Sequence, residues 1–310
     1  MAGVFQGFSV ITLIIIVGVV IERTGWLGAH GRKVLTGLAF HVATPALLFG
    51  LMYHADLSVL FSGQFIVTAI GMVVIALMYA LIGALARWGT GPTTIGALAA
   101  SFVNSGNLGI PIAVYVLGDG TLVAPVMLAQ QLIMGPVALT TLDLATRSPD
   151  AAKLRWWQYA TRPFVNPIVI GALTGLLLNA TNVAMPEFVL EPISLIGAMS
   201  VPAMLLAFGM GLNDSPVPLR GPERPQVLTA TLLKTLVHPL FAWVLGAFVF
   251  NLDATTLFVV VITAALPAAQ NIYNYAVTYD TGERLARDSI LITTLGSVPV
   301  IVLATLLLHP

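Results

Sequence analysis

Long apolar stretches separated by short polar connections run along the whole chain. A helix needs about 20 mostly apolar residues to cross the hydrocarbon core of a bilayer, and ten stretches have about this length. They cover residues 3–22, 34–53, 64–86, 92–118, 121–142, 164–182, 191–212, 227–250, 255–279 and 289–308. Backbone groups in lipid must be hydrogen-bonded within the protein, and these stretches do not alternate between apolar and polar residues. The pattern therefore predicts an all-α polytopic membrane protein with ten transmembrane helices, which we call spans 1–10.

The amino-acid composition agrees with this pattern. Of the 310 residues, 58% are hydrophobic and only 8% are charged, whereas soluble domains carry roughly 25% charged residues. This balance excludes an ordinary soluble enzyme, a disordered protein and a nucleic-acid-binding protein. The chain has no cysteine, which excludes disulfides, Cys-ligated metal centres and thiol nucleophiles. We expect the lipid bilayer to be a partner of this protein and nucleic acid not to be one.

The charged residues predict which connections face the cytoplasm. Nearly all Lys and Arg residues lie in alternate connections: Arg23, Arg32, Lys33, Arg87, Arg147, Lys153, Arg155, Arg162, Arg220, Arg224, Arg284 and Arg287. The other connections carry acidic residues instead: Asp56, Asp119, Glu187, Glu191 and Asp253. Cytoplasmic loops are enriched in Lys and Arg. The sequence therefore predicts a multi-pass protein of the cell (inner) membrane with both termini on the non-cytoplasmic side.

The two halves of the chain repeat the same order of spans. Pro45 and Pro111 are 66 residues apart, and Pro202 and Pro267 are 65 apart. A shift of about 157 residues superposes spans 1–5 on spans 6–10. Each half has an odd number of helices, so the repeats are inverted in the membrane, as in many secondary transporters. The predicted units are repeat 1 (1–143), a short cytoplasmic linker (144–163) and repeat 2 (164–310).

Polar residues and prolines interrupt spans 4 and 9 at corresponding places in the two repeats. We predict that both helices break there and cross near the middle of the membrane, where they form a substrate site. The predicted substrate-binding residues are Asn104, Ser105, Gly106, Asn107, Gln270, Asn271 and Asn274, and the predicted breaks are at Gly109, Pro111 and Pro267. Amide groups and the freed N–H groups of a broken helix suit a carboxylate. The alternative is a pair of proline kinks whose amides bridge neighbouring helices.

Three ionisable residues inside the spans are candidates for a role in charge balance or proton transfer. Lys234 and His238 are four residues apart in span 8 and therefore share one face of the helix. Lys234 could attract an anionic substrate, or its flexible side chain could extend to the cytoplasmic interface. His41 in span 2 could titrate near neutral pH, although a lone histidine in a helix is more often part of the packing.

Motifs for other chemistry are absent from the sequence. No Asp or Glu lies inside a predicted span, apart from Glu22, Asp143 and Glu191 at the edges, which disfavours an exchanger built on buried carboxylates. There is no Walker A motif, no His-Glu-x-x-His and no Gly-x-Ser-x-Gly. We therefore expect no catalytic residue, no metal site and no cofactor, and we do not expect an enzyme.

Four motifs resemble the auxin efflux carrier family, which includes plant PIN exporters and bacterial permeases assigned to malonate or malate. They are TPALLF at 44–49, NSGNLGIP at 104–111, KTLVHP at 234–239 and LPAAQN at 266–271. The resemblance covers essentially the whole chain, and the short connection at 143–163 is similar to that of the bacterial members. The Ala-Ala-Gln-Asn sequence after Pro267 departs from the plant pattern, which argues against auxin as the substrate.

The resemblance implies a fold and a mechanism. The fold has ten helices in two inverted five-helix repeats with broken crossover helices 4 and 9, similar to bile-acid symporters and NhaA-like transporters. Spans 1, 2, 6 and 7 would form a scaffold, through which the protein would form a homodimer, and spans 3–5 and 8–10 would form a mobile transport domain. Asn104 matches the family's substrate-contacting asparagine, seven residues before the crossover proline.

The sequence therefore predicts a secondary transporter for a small organic anion, a mono- or dicarboxylate, that works by elevator-type alternating access. The alternative is a sodium- or proton-coupled importer of organic anions of the bile-acid symporter type. A channel or a membrane-embedded enzyme is the rival from another class. A channel would show conductance without saturation, and an enzyme would need a catalytic group that the sequence does not offer.

Overall fold

The structure is a computed structural model that describes residues 2–28, 30–57, 61–109, 112–113, 117, 120–146, 166–213 and 218–308. Within these ranges it describes side chains except at 2–8, 11, 106, 107, 120, 121 and 213. The predicted linker 144–163 therefore lies outside the described residues beyond Thr146. The described part of the chain is helical and contains no strand longer than an isolated bridge. This confirms an all-α fold.

Eleven helices make up the described part of the chain. They are α1 (Ala2–Thr24), α2 (Gly31–Tyr53), α3 (Gly63–Leu85), α4 (Thr90–Ser101), α5 (Ala124–Ala145), α6 (Pro167–Ala180), α7 (Glu187–Leu212), α8 (Arg224–Val249), α9 (Ala254–Ala265), α10 (Asn271–Thr278) and α11 (Glu283–Leu308). Within the described ranges, six of these helices are long and apolar enough to cross a membrane: α2, α3, α5, α7, α8 and α11. The count of ten spans stays a prediction.

Two of the predicted spans differ from the helices. Span 4 was expected over residues 92–118, but α4 ends at Ser101. Span 10 was expected to begin at 289, but α11 begins at Glu283 and so includes Arg287 and Asp288. Both side chains are buried, and Arg287 Nη2 lies 2.6 Å from Asp288 Oδ1. Asp288 thus lies five residues after the start of α11, and its charge is balanced by its neighbour.

Three long helices each contain a π turn directly before a proline. The turns are Ala39–Ala43 before Pro45, Gln130–Met134 before Pro136 and Leu233–Val237 before Pro239. Proline cannot donate a backbone hydrogen bond, and its ring crowds the preceding turn, so a wider turn accommodates it. Gln130 and Lys234 lie within these turns, and π turns are frequent at functional sites.

Glycines allow two pairs of helices to approach closely. α6 packs on α2, where a Cβ at Gly171 would overlap Pro45 O and a Cβ at Gly175 would overlap Phe49 O. α1 packs on α7, where Gly18 and Gly209 face each other in the same way. Close backbone approach through small residues is the usual way that helices associate in lipid. The Gly171–Gly175 motif therefore serves packing within the chain.

Gly175→Val is expected to destabilise the protein. The valine side chain must push α6 away from the carbonyl of Phe49, and such overpacking costs about 1–3 kcal/mol. Thermal unfolding in detergent would measure the loss as a lower melting temperature. Gly37→Ala is the matched control, because a Cβ at Gly37 meets no atom within 4 Å. An unchanged melting temperature for Gly175→Val would contradict the packing of α6 on α2.

Contacts between connections define two ends of the helix bundle. We call the end with connections 25–28, 86–89, 218–223 and 279–282 the basic face; there Tyr79 OH donates to Gln226 O at 3.3 Å. The opposite end, with connections 54–57 and 181–186, is the acidic face; there Asn179 Nδ2 donates to Ala55 O at 2.7 Å and Tyr53 OH donates to Val183 O at 3.1 Å.

Candidate functional site

Two helices end inside the bundle and leave short extended segments. α4 ends at Ser101, and Phe102 has extended backbone angles (φ −76°, ψ 126°). α9 ends at Ala265, and Leu266 is extended as well (φ −56°, ψ 147°). The chain becomes helical again in the π turn Ser105–Gly109 and in α10. Each break exposes backbone groups that a continuous helix would have satisfied.

The two extended segments meet and bind each other. Val103 and Ala268 form an antiparallel bridge. Asn104 N donates to Pro267 O at 2.8 Å, and Ala269 N donates to Phe102 O at 3.2 Å. We call these segments, 102–104 and 266–269, the crossing. The pairing matters because backbone groups at this depth find little water to satisfy them.

One side chain from each half of the chain supports the crossing. Gln130 Oε1 accepts a hydrogen bond from Val103 N at 2.6 Å, and its Nε2 donates to Ser105 Oγ at 2.9 Å. On the other side, Ala268 N donates to Thr293 Oγ1 at 3.1 Å. Both side chains are buried. The sequence interpretation assigned neither residue to the site, although a glutamine in the middle of an apolar span was a visible signal for Gln130.

The amide side chains predicted to bind substrate gather around the crossing. Asn104, Gln270 and Asn274 are buried at 3–4% exposure. Both polar atoms of the Asn274 side chain are without a hydrogen-bond partner in the described part of the chain. Asn271 Nδ2 donates to Tyr275 OH at 3.1 Å, but its Oδ1 has no partner among the described residues. Buried polar groups are almost always satisfied in proteins, so Asn271 and Asn274 offer free capacity for a ligand.

The other predicted site residues are placed as follows. Ser105 is buried and bonded to Gln130. Gly106 and Asn107 belong to the π turn Ser105–Gly109, and the Asn107 side chain lies outside the described residues. A Cβ at Gly109 would lie 3.1 Å from Leu266 Cδ1, so the glycine lets the two broken helices approach.

The prolines predicted to mark the breaks have different positions. Pro267 lies in the second segment of the crossing and accepts the hydrogen bond from Asn104. Pro111 lies outside the described residues, and α4 already ends at Ser101.

The three ionisable candidates have different surroundings. Lys234 is fully buried; its Nζ lies 3.0 Å from His238 Nδ1 and donates to Ala264 O at 3.0 Å. The alternative in which Lys234 extends to the interface is therefore not what the structure shows. His41 is exposed, and its Nδ1 lies 3.1 Å from Gly37 O in the preceding turn. It contacts neither the crossing nor the Lys234–His238 pair.

A cavity of about 1190 Å³ opens at the acidic face. It lies between α2 and α7 on one side and α3 and α5 on the other, and its lining residues include Phe49, Gly50, Gln64, Met127, Leu128 and Glu191. Leu128 lies two residues before Gln130 in α5. None of the predicted site residues that the structure describes lines the cavity. The cavity therefore does not contain the amides that surround the crossing.

Two polar clusters lie at the basic face, the end of the bundle opposite the cavity. At the basic face Arg32 Nη1 lies 2.6 Å from Glu283 Oε1 and donates to Tyr273 OH at 3.0 Å. Nearby, Asn166 Nδ2 donates to Tyr279 OH at 3.0 Å, and Tyr279 OH donates to Asp143 Oδ1 at 2.9 Å. Sequence reasoning did not identify these residues as groups, because each cluster joins segments that are more than 100 positions apart along the chain.

Comparisons with known proteins agree with a role in transport. Residues 156–305 match the family described as "Membrane transport protein". The chain is 25% identical over 285 residues to a Rhizobium meliloti protein named "Putative malonate transporter", with 89% of this chain and 84% of the relative covered. It is 24% identical over 294 residues to a Methanothermobacter thermautotrophicus protein named "Uncharacterized transporter", with 93% and 92% covered. The chain is thus a multi-pass membrane protein, and residues 156–305, just under half of it, match a membrane transport family, in agreement with the auxin efflux carrier motifs that its sequence resembles.

Proposed function

We propose that this protein is a secondary transporter that carries a small organic anion, a mono- or dicarboxylate, through the membrane by an elevator movement. The single observation that supports the proposal best is the crossing of two broken helices beside Asn271 and Asn274, whose side chains have unused hydrogen-bonding capacity. Discontinuous helices of this kind form the substrate sites of many transporters. The N–H groups of side-chain amides and of the backbone at such breaks can bind a carboxylate directly, without a bound metal ion to supply the opposite charge.

We assign the substrate carboxylate to Asn104, Gln270 and Asn274, with backbone N–H groups at the start of α10. This helix begins at Asn271, directly after the crossing, and the N-terminal end of a helix favours a negative charge. The relative named for malonate supports a dicarboxylate as the first substrate to test. Asn107 and Asn271 complete the proposed site.

Matched supports in the two halves favour an inverted repeat. In α5, Gln130 binds the first segment of the crossing and precedes Pro136 by six residues. In α11, Thr293 binds the second segment and precedes Pro299 by six residues. An inverted repeat relates span 1 to span 6 and span 2 to span 7. It therefore maps the close pair α1–α7 onto the close pair α6–α2, and both pairs are present. Together they support two repeats at 1–143 and 164–310.

The positions of the cavity and of the polar clusters support a division into a scaffold and a transport domain that moves against it. We propose α1, α2, α6 and α7 as the scaffold, and α3–α5 with α8–α11 as the transport domain. The cavity separates these groups at the acidic face, and the Arg32 and Asn166 clusters join them at the basic face. This conformation would be open at the acidic face, which the positive-inside rule places outside the cell membrane.

Transport by purified protein in liposomes tests the proposal. We expect saturable uptake of at least one labelled anion from a panel of malonate, malate, indole acetate and a bile acid. Asn104→Ala should lower the rate about tenfold or more, because a hydrogen bond to a charged group contributes about 1.5–3 kcal/mol. Gln131→Leu is the matched control, since this half-buried amide adjoins Gln130 but belongs to no assigned site. Wild-type rates for Asn104→Ala would remove Asn104 from the site.

Two further arms of the same experiment decide the alternatives. Uptake driven by a sodium gradient would favour the sodium-coupled importer, and current without saturation would favour a channel.

A homodimer through the scaffold helices is also part of the proposal. The mass of the protein in detergent, with the bound detergent subtracted, would test it.

A further inference from the structure

A lysine side chain is buried behind the crossing. Lys234 lies in the π turn Leu233–Val237 with 0% exposure, and its Nζ donates to Ala264 O. Ala264 belongs to the last turn of α9, whose carbonyl groups have no acceptor role within the helix and carry partial negative charge. The ammonium group therefore caps the negative end of α9, two residues before the crossing begins at Leu266.

His238 connects this lysine to a small cavity. If the ammonium of Lys234 donates to His238 Nδ1, the hydrogen of the neutral imidazole is on Nε2. A cavity of about 10 Å³, close to the space that one water molecule needs, is lined by His238, Thr68 and Val103 of the crossing. Thr68 is buried, and its Oγ1 has no partner among the described residues. A water here would have two polar partners.

Other ionisable groups lie away from this pair. The helices packed against this part of α8 are α3, α4, α9 and α11. α4 and α9 contain no ionisable side chain. The ionisable side chains of the other helices lie toward the basic face: Tyr79 on α3, and Glu283, Arg284, Arg287 and Asp288 on α11. Tyr79 donates to Gln226 O, and Arg287 pairs with Asp288. No described carboxylate therefore balances Lys234 directly.

We propose that Lys234 and His238 bind one exchangeable proton and that this proton is carried together with the anion. The inference rests on the proposed function and names its coupling ion. To release the proton, His238 Nε2–H gives a proton to the water beside Thr68 while Nδ1 takes one from Lys234. This leaves a neutral amine and a neutral imidazole with its hydrogen on Nδ1, and the reverse steps restore the charged pair.

Electrostatic attraction couples the two binding events. A charge buried among apolar groups is costly unless an opposite charge lies near it. An anion at the crossing supplies that charge, so anion binding favours the protonated pair. Linkage requires the reciprocal effect, in which the protonated pair binds the anion more tightly, typically 5- to 150-fold. The lysine would thus act as a positioning residue for α9 and as the carrier of the coupling charge.

Proton uptake on malonate binding tests the inference. Calorimetry of the detergent-purified protein in two buffers of different ionisation enthalpy gives the number of protons taken up per malonate bound. We expect about one proton for the wild type near neutral pH and about none for Lys234→Met. At acidic pH the affinity of Lys234→Met for malonate should be about tenfold weaker than that of the wild type. The titration of malonate itself cancels in this comparison. Thr235→Val is the matched control, because Thr235 lies in the same turn and bonds Thr231 O instead.

Malonate transport separates the inference from the proposed function. In liposomes we expect wild type and His238→Gln to exchange malonate at equal pH, whereas only wild type should accumulate it under a pH gradient. No binding and no exchange of any anion by wild type would overturn the proposed function. Exchange without proton uptake by wild type would overturn the inference alone, as would equal proton uptake by Lys234→Met. If Lys234→Met does not fold, accumulation by His238→Gln equal to that of wild type overturns the inference.

Discussion

Replacing Gln130 with leucine is expected to reduce anion transport at least tenfold while leaving the helices in place. The glutamine accepts from Val103 N at 2.6 Å and donates to Ser105 Oγ at 2.9 Å. Leucine has a similar volume but cannot bind either group, so the amide of Val103 stays buried without an acceptor. A buried unsatisfied group costs about 1–3 kcal/mol. We expect the first segment of the crossing to shift, and Asn104, the next residue, to move with it.

The measurement is the initial rate of malonate exchange in liposomes, together with the melting temperature of each variant. Gln131→Leu is the matched control, as it makes the same change one position along α5. If Gln130→Leu exchanges malonate at the wild-type rate, then the geometry of the crossing does not determine transport. A weaker effect is expected for Thr293→Val, because Thr293 binds a single backbone group of the crossing, Ala268 N.

Local sequence predicts that the helices of spans 4 and 9 break, but it predicts the positions of the breaks only in part. Asn, Ser, Gly and Pro in the middle of an apolar span are poor helix formers, and they predict an interruption wherever they cluster. Pro267 lies within the crossing, two residues after the end of α9. In span 4, however, the helix ends at Ser101, well before Pro111. The pairing of Val103 with Ala268 determines this end, and pairing between distant segments is not visible in a local pattern.

Residues that act through long-range contacts were harder to predict. The Arg32–Glu283 contact and the support of Val103 by Gln130 depend on which helices are neighbours. Lys234 could be recognised as unusual because charged residues inside membranes are costly. Its partner could not, since the partner is a backbone carbonyl that becomes available only where α9 ends. The sequence therefore predicted unusual residues better than the contacts they make.

Gly211→Ala is expected to shift the protein toward a conformation that is open at the basic face. A Cβ at this position would overlap the hydroxyl of Tyr273, which accepts from Arg32 and donates to Glu283 at 3.1 Å. The tyrosine must move, and the contact between α7 and α10, which we propose to belong to the scaffold and the transport domain, weakens. Losing two hydrogen bonds to charged groups, each partly exposed, corresponds to about 1–2 kcal/mol and thus to a shift of about tenfold. Alanine favours the helix itself, so α7 should stay intact.

The natural absence of cysteine allows a direct readout of this shift. Ser194 lines the cavity at the acidic face, and Ser194→Cys changes the side chain little. In the background of this reporter, Gly211→Ala should slow the reaction with a membrane-impermeant maleimide by up to about tenfold, because the cavity closes when the basic face opens. Gly37→Ala is the matched control, since its Cβ meets no atom within 4 Å. A reporter at exposed Thr181, outside the cavity, should react equally in all backgrounds. Slower reaction at both reporters would indicate aggregation, and faster reaction at both would indicate general unfolding. Unchanged reaction at Ser194→Cys would show that the Tyr273 cluster does not hold the basic face closed.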